Sequence, residues 1–71
     1  MKRAILVKFG QKVREKRIKL GLSQEELASR AGVHRTYIGM IERAEKNITL
    51  ENIQKIASAL EIKLSDIFRD M

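Results

Sequence analysis

The chain has 71 residues, 15 Lys and Arg against nine Asp and Glu, and a formal net charge of +6. That length allows one small domain, near the lower limit for folding without a metal or a disulfide, and with no cysteine and one histidine neither can help here. Hydrophobic residues make up 44% but aromatics only 4%, so the core must be aliphatic, and the lack of proline and of alternating β-branched and polar residues predicts an all-α fold.

Five helices are expected, joined by connections of a few residues, with no repeat, low-complexity segment or linker, so 1–71 reads as one domain. The first runs from about Ile5 to Lys19, with Phe9, Val13 and Leu20 roughly on one side, and stops at Gly21, a natural residue just beyond a helix end. The second begins after Ser23. Ser23-Gln24-Glu25-Glu26 reads as a capping box, in which the serine hydroxyl accepts from the Glu26 backbone N–H and the glutamate reaches back. The third starts near His34 or Arg35 and ends around Arg43. The fourth has Thr49 as its N-cap and carries Leu50, Ile53, Ile56, Ala57 and Leu60 at helical spacing. The fifth is short, about Leu64 to Arg69, with Leu64, Ile67 and Phe68 on one face.

Residues 23–43 are the informative stretch. They form two short helices and a tight turn, the pattern of a helix-turn-helix. Ala28 is small enough for the second helix to cross closely, Gly32 supplies the positive φ of a sharp interhelical turn, and Ile38 points into the core while its neighbours point out. A helix that is polar at its start and apolar along one side suits the DNA major groove. The charge agrees: residues 1–43 hold eleven basic and four acidic side chains, residues 44–71 four and five. A basic front and a near-neutral back fit a polyanion on one side. The competing reading is that Lys2, Arg3, Lys8, Lys12, Arg14, Lys16 and Lys19 form a solvated helix face.

The first turns of the third helix are the candidate recognition surface: His34, Arg35, Thr36, Tyr37 and Gly39. Arg35 can donate two parallel hydrogen bonds to guanine O6 and N7. Thr36 can hydrogen-bond a base edge or phosphate, or place its methyl on thymine. Tyr37 can reach a phosphate with its hydroxyl while its ring braces the helix. His34 is either a helix-start residue or a DNA contact. Gly39 costs a helix about 1 kcal/mol relative to alanine, and either close approach to DNA or tolerance at a surface site explains it. Gln24, in the first turn of the second helix, can bond phosphate, brace the recognition helix or simply be solvated. Arg43, Lys46 and Asn47 follow the recognition helix where a loop would graze the DNA backbone; an exposed polar loop is the plainer alternative, with Asn47 adopting a left-handed turn. Arg17 and Glu42 occupy helix sides that otherwise face inward and read as a partly buried ion pair between the first and third helices, with Arg17 on phosphate as the rival.

The C-terminal third, about 50–71, is the expected dimerisation region. It has more apolar positions than so small a bundle can bury, leaving Ile62 and Ile67 as candidates for a second apolar surface. No apolar run approaches the ~20 residues that span a bilayer, and no apolar stretch with a cleavage site follows the basic N-terminus, so a cytoplasmic chain without membrane segment or signal peptide is expected. No serine, cysteine or carboxylate pair stands at a catalytic spacing, so neither enzymatic activity nor a cofactor is expected. Exposed aromatics for stacking single-stranded RNA are lacking.

From about Phe9 to Phe68 the chain resembles the Cro/C1-type (lambda-repressor-like) helix-turn-helix family. The resemblance is carried by Val13-Arg14-Glu15-Lys16-Arg17-Ile18, Gly21-Leu22-Ser23-Gln24-Glu25-Glu26-Leu27-Ala28, Ala31-Gly32-Val33 and Ile41-Glu42-Arg43. Arg35-Thr36-Tyr37-Ile38, then Ile41-Glu42-Arg43 and Asn47-Ile48-Thr49-Leu50, make it most similar to the controller proteins of restriction–modification systems. The resemblance implies a five-helix repressor or activator that binds a palindromic operator as a homodimer. It implies operator contacts from Arg35, Thr36 and Tyr37, backbone or supporting contacts from Gln24, Arg43 and Asn47, and an ion pair between Arg17 and Glu42. A controller would respond to its own concentration, activating at low occupancy and repressing at high, which makes RNA polymerase a further candidate partner. His34 and Gly39 depart from the controller pattern, where a small polar or acidic residue and a serine are common. A phage-type repressor, an antitoxin-like regulator and, in another class, a protein-interaction adaptor on the same fold are the alternatives.

Overall fold

Local capping chemistry sets the element boundaries. In the computed structural model, which describes residues 3–69, the helices are α1 (Ala4–Lys19), α2 (Gln24–Ala31), α3 (Arg35–Glu42), α4 (Leu50–Ala59) and α5 (Leu64–Ile67). The all-α expectation and the order of five helices hold; Lys2 lies outside the described residues. The capping box is present, with Glu26 N–H donating to Ser23 Oγ at 2.9 Å and Ser23 N–H donating to Glu26 Oε1 at 2.8 Å. Thr49 Oγ1 accepts from Asn52 N–H at 3.2 Å and opens α4.

The first four helices end alike. Leu22 N–H reaches back to the Arg17 carbonyl and Val33 N–H to that of Ala28, both at 3.0 Å, around Gly21 and Gly32 in the left-handed region. Glu45 N–H donates to Met40 at 2.8 Å and Ile62 N–H to Ala57 at 3.1 Å, around Ala44 and Glu61 at φ 59°. Each is the six-residue closing bond that satisfies an orphan carbonyl and turns the chain sharply. At Gly32 (φ 72°) this turn sets α3 across α2, as a helix-turn-helix requires.

The core is aliphatic. Leu27 of α2, Ile38 of α3 and Ile56 of α4 are wholly buried at its centre, and each such side chain contributes about 1.5–3 kcal/mol relative to exposure. Ala28 is buried where α2 meets its neighbours. α2 packs on α3 and α4, α1 lies behind α3, and α5 closes the end against α4. Phe68 stacks on Phe9 with ring centroids 6.0 Å apart, joining the C-terminal end to α1. Gly10 marks the tightest crossing. A Cβ there would stand 3.1 Å from the Glu42 carbonyl oxygen and closer still to that of Ile41, so α1 can lie against the end of α3 only because this residue has no side chain.

Five apolar expectations need correction. Ile67 is 1% exposed and belongs to the core, so it cannot be a dimer surface; Leu64, expected on the same face as Ile67, is 37% exposed. A four-residue helix makes barely one turn, and α5 presses its C-terminal end onto the core, leaving Leu64 at the rim. Ile62 is half-buried against the core and only partly available outside. Leu50 is 80% exposed although it shares the helical spacing of Ile53. As the first residue of α4 it leans toward the helix N-terminus, beyond the body it would pack on. Leu20 is exposed because it is the cap residue at which α1 has already passed the core. Among the described residues no helix is long and apolar enough to cross a membrane.

Candidate nucleic-acid interface

The interface is built from behind. Arg17, projecting from α1, donates through Nε to Glu42 Oε2 at 2.7 Å and through Nη2 to Oε1 at 3.1 Å, a two-point pair with the end of α3. Its third nitrogen, Nη1, donates to the Leu22 carbonyl at 2.9 Å. Gln24 Nε2 adds a bond to Glu42 Oε1 at 3.1 Å. One carboxylate thus gathers α1, α2 and α3. Of the readings open for Gln24, the brace is the one present, and the ion pair is the observed partner of Arg17.

In front of this brace is an open hollow of about 630 Å³ whose lining includes Gln24, Arg35, Thr36, Gly39 and Arg43. Gly39 is buried beneath Gln24 and Arg43: a Cβ on it would meet Arg43 Nη1 at 3.0 Å and Gln24 Oε1 at 3.6 Å. Those are flexible side-chain ends, so the missing Cβ makes room at the hollow rather than for another helix. Arg35 and Thr36 are exposed in the first turn of α3. Arg35 Nη1 lies 3.4 Å from Glu25 Oε2, and Arg43 Nε lies 3.1 Å from Glu45 Oε1. Both pairs are solvated, a class worth about 0–1 kcal/mol, so a phosphate or a base edge can replace the carboxylate with little loss.

The other candidate residues do not line this hollow. His34 is the N-cap of α3, its Nδ1 accepting from Thr36 N–H at 3.1 Å. Tyr37 is half-buried, packs on the core, and accepts a hydrogen bond from Asn52 Nδ2 of α4 at 3.0 Å. Since its oxygen is the acceptor there, the phenolic proton stays available to donate elsewhere. Lys46 and Asn47 are exposed in the loop between α3 and α4, outside the hollow. Glu26, exposed in the first turn of α2, has its carboxyl held below the usual carboxylate range, chiefly by the bond from Ser23 N–H and then by the Ser23 side chain. Among the described residues no three His, Asp or Glu side chains converge where a metal could sit.

Sequence reasoning missed two residues here. Asn52 holds the Tyr37 hydroxyl from another helix, a contact no spacing announces. Glu25 pairs with Arg35; its place inside the capping box hides the fact that it faces the recognition turn.

A helix-turn-helix family model matches residues 13–67. The control protein C.BamHI of Bacillus amyloliquefaciens is 50% identical over 60 residues, covering 83% of this chain and 74% of that protein. The restriction–modification controller protein C.AhdI of Aeromonas hydrophila has the same fold at a TM-score of 0.89, with 50% identity over 93% of this chain and all of that one. The controller protein C.Esp1396I, solved as a tetramer in complex with its natural 35-base-pair operator, matches at a TM-score of 0.88 and 31% identity, over 94% of this chain and 88% of that one. With its braced recognition helix and these likenesses along nearly its whole length, the chain belongs to the helix-turn-helix controller proteins of restriction–modification systems.

Proposed function

We propose that this protein is a sequence-specific DNA-binding transcriptional regulator, acting as a homodimer on a palindromic operator and timing expression of a restriction endonuclease together with its own gene. The single observation that carries the reading is the exposed start of α3, where Arg35 and Thr36 stand beside Gln24 and Arg43 around one open hollow, fixed from behind by Arg17 and Glu42. Arg35 takes a guanine through two parallel bonds, Thr36 takes a neighbouring base edge or phosphate, and Tyr37 donates its free proton to a phosphate. Arg43, Lys46 and Asn47 follow the DNA backbone, and Gln24 bonds phosphate from the start of α2 while it braces Glu42. His34 and Gly39 lie on the same side.

Two copies place their recognition helices in successive major grooves, ~34 Å apart. Ile62 and Leu64, the apolar surface left at the C-terminal end, support pairing through about 50–71, with the two-fold axis there and both α3 helices turned to one side of the duplex. Activation at low occupancy makes RNA polymerase the further partner of this reading.

Arg35→Ala tests it. Losing a bidentate guanine contact should lower operator affinity by about 1–3 kcal/mol more than affinity for random DNA, measured by gel shift at fixed salt. Equal losses on both duplexes would assign Arg35 to phosphate alone. A wild-type protein whose DNA binding ignores salt would instead favour the adaptor reading, because neutralising phosphates releases counterions.

A further inference from the structure

His34 is the one histidine of the chain and the N-cap of its recognition helix. Helices are usually capped by Ser, Thr, Asp or Asn, whose short side chains satisfy a backbone donor and present little else. An imidazole differs. In its neutral form one nitrogen accepts and the other carries the proton. Nδ1 is committed as the acceptor of Thr36 N–H at 3.1 Å. The proton must then sit on Nε2, on the far side of the ring and directed away from the cap. Nε2 has no partner among the described residues, and His34 is exposed, sharing a shallow surface hollow with Glu25 and Arg35.

We propose that the cap makes His34 a specificity-determining residue: by fixing the Nε2–H tautomer it presents one hydrogen-bond donor to a base edge in the major groove, just ahead of Arg35. The inference rests on the DNA-binding reading above. Guanine offers N7 and O6, adenine N7 and thymine O4 to such a donor, whereas cytosine offers the N4 amino group, itself a donor. His34 therefore rejects cytosine at one position of each half-site. A serine at the same place would cap the helix without this restriction, since a hydroxyl both donates and accepts.

The test exchanges donor for acceptor while keeping the cap. His34→Asn caps through Oδ1 and retains an amide donor; His34→Asp caps equally well but offers only acceptors at neutral pH. Duplexes are selected from a randomised pool with the wild type and both variants, circular dichroism confirms the folds, and long-range proton–nitrogen correlation reads the tautomer of the free wild type at pH 7.5. The expected results are an Nε2–H ring, cytosine disfavoured at one half-site position by wild type and His34→Asn, and that preference reversed in His34→Asp by about tenfold. General loss of affinity from the added negative charge does not affect this readout, which compares bases at one position. An Nδ1–H ring overturns the proposal. So does one unchanged consensus from all three proteins, which would leave His34 a cap or a phosphate contact. A wild type that selects no sequence at all would bring down the DNA-binding reading itself, and the proposal with it.

Discussion

The two sides of α3 carry polar contacts of the same chemical kind and opposite consequence. Behind the helix, Arg17 and Glu42 meet at 2.7 Å with side chains only 13% and 4% exposed. In front, Arg35 and Glu25 stand 3.4 Å apart and are 67% and 76% exposed. Two unit charges 4 Å apart attract by about 1 kcal/mol in water and about 4 kcal/mol near a protein surface of effective dielectric ~20. Burial, more than residue type, thus decides which contact defines the position of the helix and which one is exchangeable. The front pair of Arg35 and Glu25 is solvated and exchangeable, while the rear pair fixes α3 against α1.

The sharpest way to break this contrast is to remove the rear carboxylate. Glu42→Ala leaves Arg17 unpaired in a partly buried place and frees Gln24 from its brace. A loss of about 3–5 kcal/mol is expected, as for other half-broken buried pairs. Urea melts of Glu42→Ala, Arg17→Ala and the double variant measure it. The double variant should lose clearly less than the two single losses combined, and additivity to within about 0.5 kcal/mol would show that the two side chains do not act as a unit.

Gly10 tests the same rear surface by shape instead of charge. Gly10→Ala gains about 1 kcal/mol of helix propensity but drives a methyl group against the carbonyl oxygens of Ile41 and Glu42. These are backbone atoms and cannot swing aside. Overpacking of this kind costs about 1–3 kcal/mol, and the net effect should be a loss of up to about 2 kcal/mol together with a displaced α3. Amide chemical shifts of residues 35–42 should move along with the melting temperature. An alanine variant as stable as wild type would mean that α1 and α3 can separate without harm.

Much of this arrangement was legible in the sequence because its signals are local or periodic. The capping box, Gly21, Gly32 and Thr49 each announce a turn within a few residues. Arg17 and Glu42 stand out as charges on otherwise inward-facing positions. What escaped depends on contacts distant along the chain. Gly10 gives no local signal of its role until α3 lies across it. Ala44 and Glu61 close their helices in the left-handed conformation without the glycine that would advertise it, so tertiary packing must offset a local cost of about 1 kcal/mol or more. α5 is too short for periodicity to settle whether Leu64 or Ile67 turns inward. The partners of Tyr37 and Arg35, Asn52 and Glu25, become visible only when the helices are placed.

The exposed rim should respond least, and pH reads it separately. Glu26 gains its low pKa from Ser23, first through the backbone bond and then through the side chain. A carboxyl whose folded-state pKa is depressed contributes stability that is fully present above its unfolded value of 4.5 and is lost as pH falls through the lower, folded value. Glu26→Gln keeps an acceptor for Ser23 N–H but removes the charge and the titration. At pH 6–7 the variant should melt slightly below wild type, by less than either rear-face substitution. On acidification below pH 4.5 the gap should narrow as pH falls through the folded-state value, because wild type then carries a neutral carboxyl as well. A gap of constant size across that range would place the contribution of Glu26 in packing rather than in its charged bond to Ser23, and would remove the ionised capping box from the contacts that hold the start of α2.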